Sequence, residues 1–297
     1  MERLIMLGTG NALVTRCYNT CFAIQDDDEY FLVDAGGGNG IMRQLQDADI
    51  SMAQIHHIFL THEHTDHLLG MIWMIRMIAT KMRREQYEGN LRIYCHSALV
   101  ETVRTIANLT LPKKFTRLLD HRIQFVPLHD GDTKHILDYD VTFFDILSTK
   151  AKQYGFTMRL KNGQKLTCAG DEPLNENCFG YAEGSDWLMH EAFCLYSQRD
   201  QYDPYEKHHS TVRNACQPSH TECRQRIHHI VIPGTRQFHR IGLSVLCPDG
   251  KGGGLCLALD LHSTDICLIA VHSVGDDRTG QFLFQRRKQG IVAVYHQ

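Results

Sequence analysis

One short run of histidines and carboxylates constrains this chain more than any other part of its sequence. Residues 61–67 read Thr-His-Glu-His-Thr-Asp-His and directly follow a short apolar run. Alternate residues of an extended segment point the same way, so we expect His62 and His64 to face one metal ion. Asp66 and His67 follow where the chain turns into a helix, and we expect them to face a second ion nearby. The run therefore predicts a metal site with two ions.

The residue types of this run also predict its chemistry. Imidazole nitrogens and carboxylate oxygens suit zinc, with manganese or iron as alternatives. Two ions roughly 3.5–4 Å apart stabilise both the attacking and the leaving oxygen of a phosphoryl displacement, and a water between them acquires a pKa of about 7. A surface loop that is histidine-rich by chance is the competing interpretation. Three histidines and an aspartate within six residues, directly after a buried strand, disfavour it.

Short strands alternate with helices around this run. Apolar stretches at 21–24 and 30–33 flank an acidic turn and predict a hairpin, and 57–60, 91–94 and 141–146 also have strand character. Apolar residues recur at helical spacing after His67. This alternation predicts a layered α/β domain.

The bulk properties limit where the protein works and what it binds. A formal net charge of -3 excludes a globally basic nucleic-acid-binding surface, so any RNA contact must be local. No apolar run approaches the roughly 18 residues of a membrane span, and no signal peptide is evident. The eleven cysteines form no CxxC pair. We therefore predict a cytoplasmic protein with reduced thiols and no membrane contact.

The metal-site run resembles the His-x-His-x-Asp-His signature of the metallo-β-lactamase fold superfamily. Other motifs are similar to those of its ribonuclease Z (tRNA 3′-processing endonuclease) branch, in the same order and at similar spacing over roughly residues 1–215. They are Leu-Gly-Thr-Gly at 7–10, Val-Asp-Ala-Gly at 33–36, Gly-Asp at 170–171, His-Glu-Ala-Phe at 190–193 and His-Ser-Thr at 209–211.

This resemblance implies a fold and a role for each motif. The fold is a four-layer αββα sandwich with the metal ions at one edge of its two sheets. Asp171 bridges the ions, and Asp66 orients the attacking hydroxide as well as binding metal. His209 donates a proton to the leaving oxygen and Glu191 orients it, although the adjacent His208 is an alternative. Family members are commonly homodimers.

The chain departs from the family at two metal ligands. Leu147 occupies the position where we expect a histidine ligand to the first ion, and leucine has no donor atom. That ion then keeps only His62, His64 and the bridging aspartate. A final histidine is expected after a later buried strand, but His228 and His229 precede the corresponding apolar run. Either histidine is a candidate substitute, and the first ion is expected to bind weakly.

Two further departures concern the tail and the substrate. Residues 1–216 are predicted to form the hydrolase domain, and 217–297 a divergent C-terminal tail that does not resemble the family. A shift of the coding frame near residue 216 is one hypothesis for that tail. Many bacterial ribonuclease Z enzymes carry a tRNA-binding arm before the bridging aspartate. Only 24 positions separate Leu147 and Asp171 here, which leaves no room for one.

The predicted function is a zinc-dependent phosphodiesterase that cleaves RNA at the 3′ side of tRNA precursors. One alternative is a phosphodiesterase acting on cyclic nucleotides or other small molecules. Another is a metal-poor, inactive relative that only binds a ligand, which Leu147 and the atypical tail favour. A β-lactam or thioester hydrolase is disfavoured because the loops at 190–193 and 209–211 have no evident role in it.

Overall fold

Two β-sheets packed face to face form the centre of the structure, and helices cover their outer faces. The computed structural model describes residues 2–15, 17–194 and 196–216, together with strand segments at 229–231, 258–260, 281–287 and 290–296. One apolar core lies between the sheets, a second beneath the helices of the first sheet, and a smaller third beneath those of the second sheet. These four layers confirm the predicted αββα sandwich.

In the part of the chain that the structure describes, the first sheet has seven strands and the second has six. The first, in the order β13-β1-β2-β3-β4-β5-β6, contains β1 (Glu2–Gly8), β2 (Cys21–Asp26), β3 (Glu29–Val33), β4 (Ile55–Phe59), β5 (Leu91–His96), β6 (Ile123–Leu128) and β13 (Ala258–Asp260). The second, in the order β12-β11-β10-β9-β8-β7, contains β7 (Thr133–Ile136), β8 (Tyr139–Asp145), β9 (Tyr154–Arg159), β10 (Lys165–Cys168), β11 (Trp187–Met189) and β12 (His229–Val231). A separate hairpin pairs β14 (Gln281–Arg287) with β15 (Gly290–His296).

The described helices are mostly short, and the two longest cover the first sheet. They are α1 (Ile41–Asp47), α2 (Thr65–Arg83), α3 (Ser97–Thr110), α4 (Lys113–Thr116), α5 (Phe179–Ala182), α6 (Arg199–Tyr202) and α7 (Val212–Cys216). Single 3-10 turns lie at Met52–Gln54, Glu176–Cys178 and Tyr196–Gln198. Among the described helices, none combines the length and the apolar character needed to cross a membrane.

Aromatic side chains fill the space between the sheets. The ring of Phe59 lies 4.8 Å from that of Phe143 and 5.9 Å, nearly perpendicular, from that of Phe156. Edge-to-face pairs of this kind contribute about 0.5–1.5 kcal/mol beyond the burial of their area. Because Phe59 ends β4, this packing holds the strand from which the histidine run emerges.

The ends of several strands meet at one edge of the sandwich. In the first sheet β3 and β4 run parallel, with Val33 opposite Phe59, so the turn at Asp34 and the run at 61–67 leave side by side. In the second sheet β8, β10 and β11 point the same way. They lead into the loop after Asp145, into the Asp171 turn and into the loop at 190–193. The topology therefore brings together motifs that lie far apart in the sequence.

The close contact between α2 and the Asp34 turn depends on Gly70. Its backbone N–H donates to the carbonyl of Gly36 at 2.7 Å. A Cβ atom at this position would lie 1.7 Å from the carbonyl oxygen of Ala35. Only glycine permits this approach, and it sets the first turn of α2, with Asp66 and His67, against the end of β3.

Two short strands beyond residue 216 extend the sheets. β12 pairs in parallel with β11, and β13 pairs antiparallel with β1. His228 and most of the segment 217–297 lie outside the described residues. The division of the chain at residue 216 therefore stays a prediction.

Candidate metal centre

The histidine run and Asp171 form one cluster of potential ligands. Ligand atoms of His62, His67 and Asp171 all lie within 4.8 Å of one another. Nε2 of His62 lies 2.8 Å from Nδ1 of His64. Asp66 joins from the first turn of α2, where its Oδ2 lies 3.7 Å from Nε2 of His67. All five predicted ligands are thus close together in space.

Asp171 reaches the cluster from the second sheet. The turn before it requires Gly170, which has a left-handed backbone with φ of +82°. The backbone N–H of Asp171 donates to the side-chain oxygen of Gln153. Held in this way, Oδ2 of Asp171 lies 3.7 Å from Nε2 of His67. The placement is compatible with the predicted bridging role.

Asp34 and Thr61 orient the ligand rings, and the sequence did not predict this role. Oδ2 of Asp34 accepts a hydrogen bond from Nδ1 of His67 at 2.7 Å, and Oδ1 accepts from the backbone N–H of Thr61 at 2.9 Å. The hydroxyl of Thr61 lies 2.8 Å from Nδ1 of His62. Because Asp34 and Thr61 contact Nδ1 of His67 and His62, Nε2 of each ring is directed into the cluster. This arrangement is typical of metal-binding histidines.

The pKa values indicate a site suited to a cation. Burial lowers the pKa of His67, but the carboxylate of Asp34, together with Asp171 and Asp66, outweighs burial and raises the pKa to about 9. Burial, reinforced by His67 and His64, holds the pKa of His62 well below its usual value. A proton on His67 therefore supplies the positive charge that the carboxylates require, and a metal ion fits the same need.

The two catalytic motifs form a pair beside this cluster. Nδ1 of His209 lies 3.3 Å from Oε2 of Glu191, although the two atoms are not aligned for a hydrogen bond. Oε1 of Glu191 accepts from the backbone N–H of Ser210 at 2.7 Å. The ring of Phe193 stacks on His209 with centroids 5.1 Å apart. These contacts orient His209 from both its edge and its face.

The electrostatic surroundings favour the protonated form of His209. Burial lowers its pKa, but Glu191 and the charge of Asp171 outweigh burial, so the pKa lies above the usual histidine value. The pKa of Asp171 is raised by burial, with Glu191 contributing in the same direction and His209 opposing. This mutual influence indicates that the His209–Glu191 pair lies near Asp171.

The structure distinguishes His209 from its neighbours in sequence. Nδ1 of His208 bonds instead to the hydroxyl of Thr149 at 2.6 Å, and its backbone is left-handed. His190 is buried, with its ring nitrogens bonded to the backbone of Glu191 and Leu174. His209 is therefore the histidine of these loops that faces Glu191.

Leu147, where the sequence departs from the family pattern, has no ligand atom and is 47% exposed. The loop that follows it brings Nζ of Lys150 to 3.1 Å from Nε2 of His209.

Of the two histidines considered as replacement ligands, His228 lies outside the described residues. For His229 only the backbone, at the start of β12, is described.

Comparisons with known proteins identify the family. The family model described as "Anti-Pycsar protein Apyc1" matches residues 2–224. The chain belongs to this Apyc1 family. The matched range contains the five candidate metal ligands and the His209–Glu191 pair.

Individual relatives agree with this assignment. Ribonuclease Z of Thermococcus gammatolerans is 27% identical over 73% of this chain and 79% of its own length. The short form of human tRNase Z has the same fold, with a TM-score of 0.63 at 20% identity over 80% of this chain and 93% of its own. A diphosphatase from the PhnP family gives 0.62 at 14% identity over 86% of this chain and 98% of its own.

The Apyc1-family chain is thus a metallo-β-lactamase-fold protein of the ribonuclease Z-like branch. Its relatives support a hydrolase of the ribonuclease Z or PhnP type. The described residues also contain a His/Asp cluster able to hold a divalent metal ion.

Proposed function

We propose that this protein is a metal-dependent phosphodiesterase that holds two divalent ions, with zinc as the physiological metal. The observation that carries the proposal is the convergence of His62, His67 and Asp171 beside the His209–Glu191 pair. Metal ligands next to a buried histidine–carboxylate pair are what a hydrolase needs to activate water and to protonate a leaving group.

The donor atoms would be divided between two ions. His62 and His64 would hold the first, Asp66 and His67 the second, and Asp171 would bridge them. When bound, such ions lower the pKa of water and stabilise charge on a phosphoryl group. Nitrogen and carboxylate donors in this ratio suit zinc, while manganese and iron remain alternatives.

The remaining residues act on protons. His209, whose raised pKa favours the charged ring, would give a proton to the leaving oxygen. Glu191 stabilises the charged ring and fixes its orientation. Asp66 would accept a hydrogen bond from the attacking water and so direct its lone pair at phosphorus.

The substrate we favour is a small phosphodiester, such as a cyclic mononucleotide. Between Leu147 and Asp171 the chain forms only a loop and the strands β9 and β10, which a tight turn at 160–164 connects. No arm projects from this part of the described chain to grip a large RNA. A tRNA precursor is the second candidate, because the similar curated proteins are named ribonuclease Z.

One preparation of the protein tests both candidates. Zinc per chain is measured first, and hydrolysis is then assayed on cyclic mononucleotides, a tRNA precursor and bis(p-nitrophenyl) phosphate. We expect zinc to be bound, and we expect Asp66→Asn to abolish hydrolysis. Asp140→Asn, which changes an exposed carboxylate beside His135, should retain it. A zinc-free, inactive preparation would support the metal-poor binding relative instead.

Three further proposals rest on the resemblance or on the sequence. We propose a homodimer, which sedimentation measurements would test. We propose a cytoplasmic location, consistent with the free thiols of the described cysteines.

We also propose that 217–297 is a divergent tail produced by a shift of the coding frame near residue 216. Resequencing of the coding region together with an intact mass measurement of the mature protein would decide that point.

A further inference from the structure

The loop between β8 and β9 is fastened to both sides of the candidate site. The hydroxyl of Ser148 donates to Oε1 of Glu172 at 2.6 Å, and the backbone N–H of Thr149 donates to Oε2 at 3.1 Å. Glu172 is buried and directly follows Asp171. On the other side, the hydroxyl of Thr149 bonds to His208 at 2.6 Å. These contacts fix the backbone from which Lys150 extends.

Lys150 lies at the mouth of the site with its charge uncompensated. Its Nζ is 3.1 Å from Nε2 of His209. Within residues 2–15, 17–194 and 196–216, no carboxylate lies within ion-pair distance of this ammonium group. The other lysine of the loop differs, because Nζ of Lys152 lies 3.2 Å from Oδ2 of Asp145 and above the ring of Tyr154.

The contact between Lys150 and His209 cannot persist during proton donation. An ammonium group has only donors, so Nε2 of His209 accepts the hydrogen bond in the free site and carries no proton there. To protonate a leaving oxygen, Nε2 must carry one. Two positively charged donors at this separation repel each other. Lys150 then needs another acceptor within reach, and a phosphate oxygen arriving at the metal cluster provides one.

We propose that Lys150 is a substrate-binding residue whose ammonium group binds a non-bridging oxygen of the scissile phosphodiester beside His209. This inference rests on the proposed function. The ammonium group would bind the phosphate oxygen as a compact positive charge, without the two parallel hydrogen bonds that arginine forms. The ligand class is phosphate and its mono- and diesters, with inorganic phosphate as the smallest member.

Three variants test this role on the zinc-loaded protein. Lys150→Met removes the charge and keeps an unbranched side chain that is one atom shorter. Lys150→Arg keeps the charge, and Lys152→Met removes an equal charge from the same loop as a matched control. The first measurement is the affinity for inorganic phosphate by titration calorimetry. The second is kcat/KM on bis(p-nitrophenyl) phosphate, and the third is zinc per chain.

We expect Lys150→Met to weaken phosphate binding about 10-fold or more and to lower kcat/KM about 100-fold. Zinc content should stay that of the parent protein. Lys150→Arg should recover most of the phosphate affinity, and Lys152→Met should behave like the parent. Unchanged phosphate affinity in Lys150→Met overturns the inference. Equal losses in Lys150→Met and Lys152→Met also overturn it, because they would indicate a general effect of charge.

The outcome separates this inference from the proposed function. If the parent protein hydrolyses no phosphodiester, the proposed function fails. The comparison of phosphate affinities still decides whether Lys150 binds phosphate. If the parent is active and Lys150→Met is equally active with unchanged phosphate affinity, the function stands and the role of Lys150 is wrong.

Discussion

Replacing Asp34 with asparagine would test how the second metal ion is held. The carboxylate accepts three hydrogen bonds, one from Nδ1 of His67 at 2.7 Å and two from the backbone and hydroxyl of Thr61. Asparagine offers one oxygen and one donor group in the same space. If the amide oxygen keeps the hydrogen bonds from Thr61, the amide N–H faces Nδ1 of His67. That nitrogen must then accept a hydrogen bond.

This change moves the histidine proton to the metal-binding nitrogen. Nε2 of His67, which is directed at Asp66 and Asp171, would carry the proton in the neutral ring. A metal ion would have to displace this proton from Nε2. The proton would then move to Nδ1, where the hydrogen bond from the new amide would be lost. Loss of such a supporting partner typically lowers metal affinity or activity about 10–100-fold. At 25 °C this corresponds to roughly 1.4–2.7 kcal/mol.

Competition between the protein and a chelator of known zinc affinity measures this loss. Asp26→Asn is a matched control, because Asp26 is also a buried carboxylate but pairs with Lys161 away from the site. We expect Asp34→Asn alone to release zinc more readily. Equal zinc affinity in Asp34→Asn and the parent protein would refute the argument that Asp34 sets the tautomer of His67.

Three other changes have expected outcomes. Leu147→His should raise zinc per chain, measured by elemental analysis, and an unchanged value would mean that the missing ligand belongs elsewhere. Gly70→Ala should cost several kcal/mol of unfolding free energy in urea, or abolish folding, because its Cβ would lie 1.7 Å from the Ala35 carbonyl oxygen. Burial, aided by Arg92, lowers the pKa of His57 to about 4. Its contribution to stability is therefore present above pH 6.5 and is lost as the pH falls towards 4, by about 3 kcal/mol in all. His57→Gln should lose less stability than the parent over that range, and parallel urea curves at pH 7 and 4.5 measure the difference.

The metal cluster was predictable to the extent that its ligands are neighbours in the sequence. His62, His64 and His67 follow one buried strand, so alternation along the strand and the turn into α2 were enough to predict a shared site. Asp171 lies more than a hundred positions away. Only the resemblance to a family connected it with the cluster, and the structure places its carboxylate 3.7 Å from Nε2 of His67.

The residues that support the ligands were harder to predict, for a physical reason. Asp34 accepts from His67 because β3 and β4 are parallel in a register that sets Val33 opposite Phe59, and because its own backbone is left-handed, with φ of +56°. Neither the register nor that dihedral angle is evident from the residue types. The position of Lys150 depends likewise on how Glu172 fastens a loop. Local patterns in the sequence do not specify either contact.

The described strands also bear on why the two metal positions should differ in affinity. β12 runs parallel to β11 with Val231 opposite Met189, so its carboxyl end approaches the edge that carries Glu191. The residues that follow in sequence, Ile232 and Pro233, have no donor side chain. The backbone of His229 lies at the other end of this strand, opposite Trp187 and about 6–7 Å from Val231 along the strand.

A ligand that reached either ion from this strand would have to come from a position that is apolar in this chain, and the first ion also lacks the donor expected at Leu147. The second ion, by contrast, has Asp66, His67 and Asp171, with Asp34 supporting the ring of His67. We therefore expect zinc titration to have two phases, with about one equivalent retained after dialysis against a weak chelator. His67→Asn should remove the retained equivalent, whereas His64→Asn should affect the weaker phase. Two equally tight equivalents in the parent protein would show that another group completes the first position.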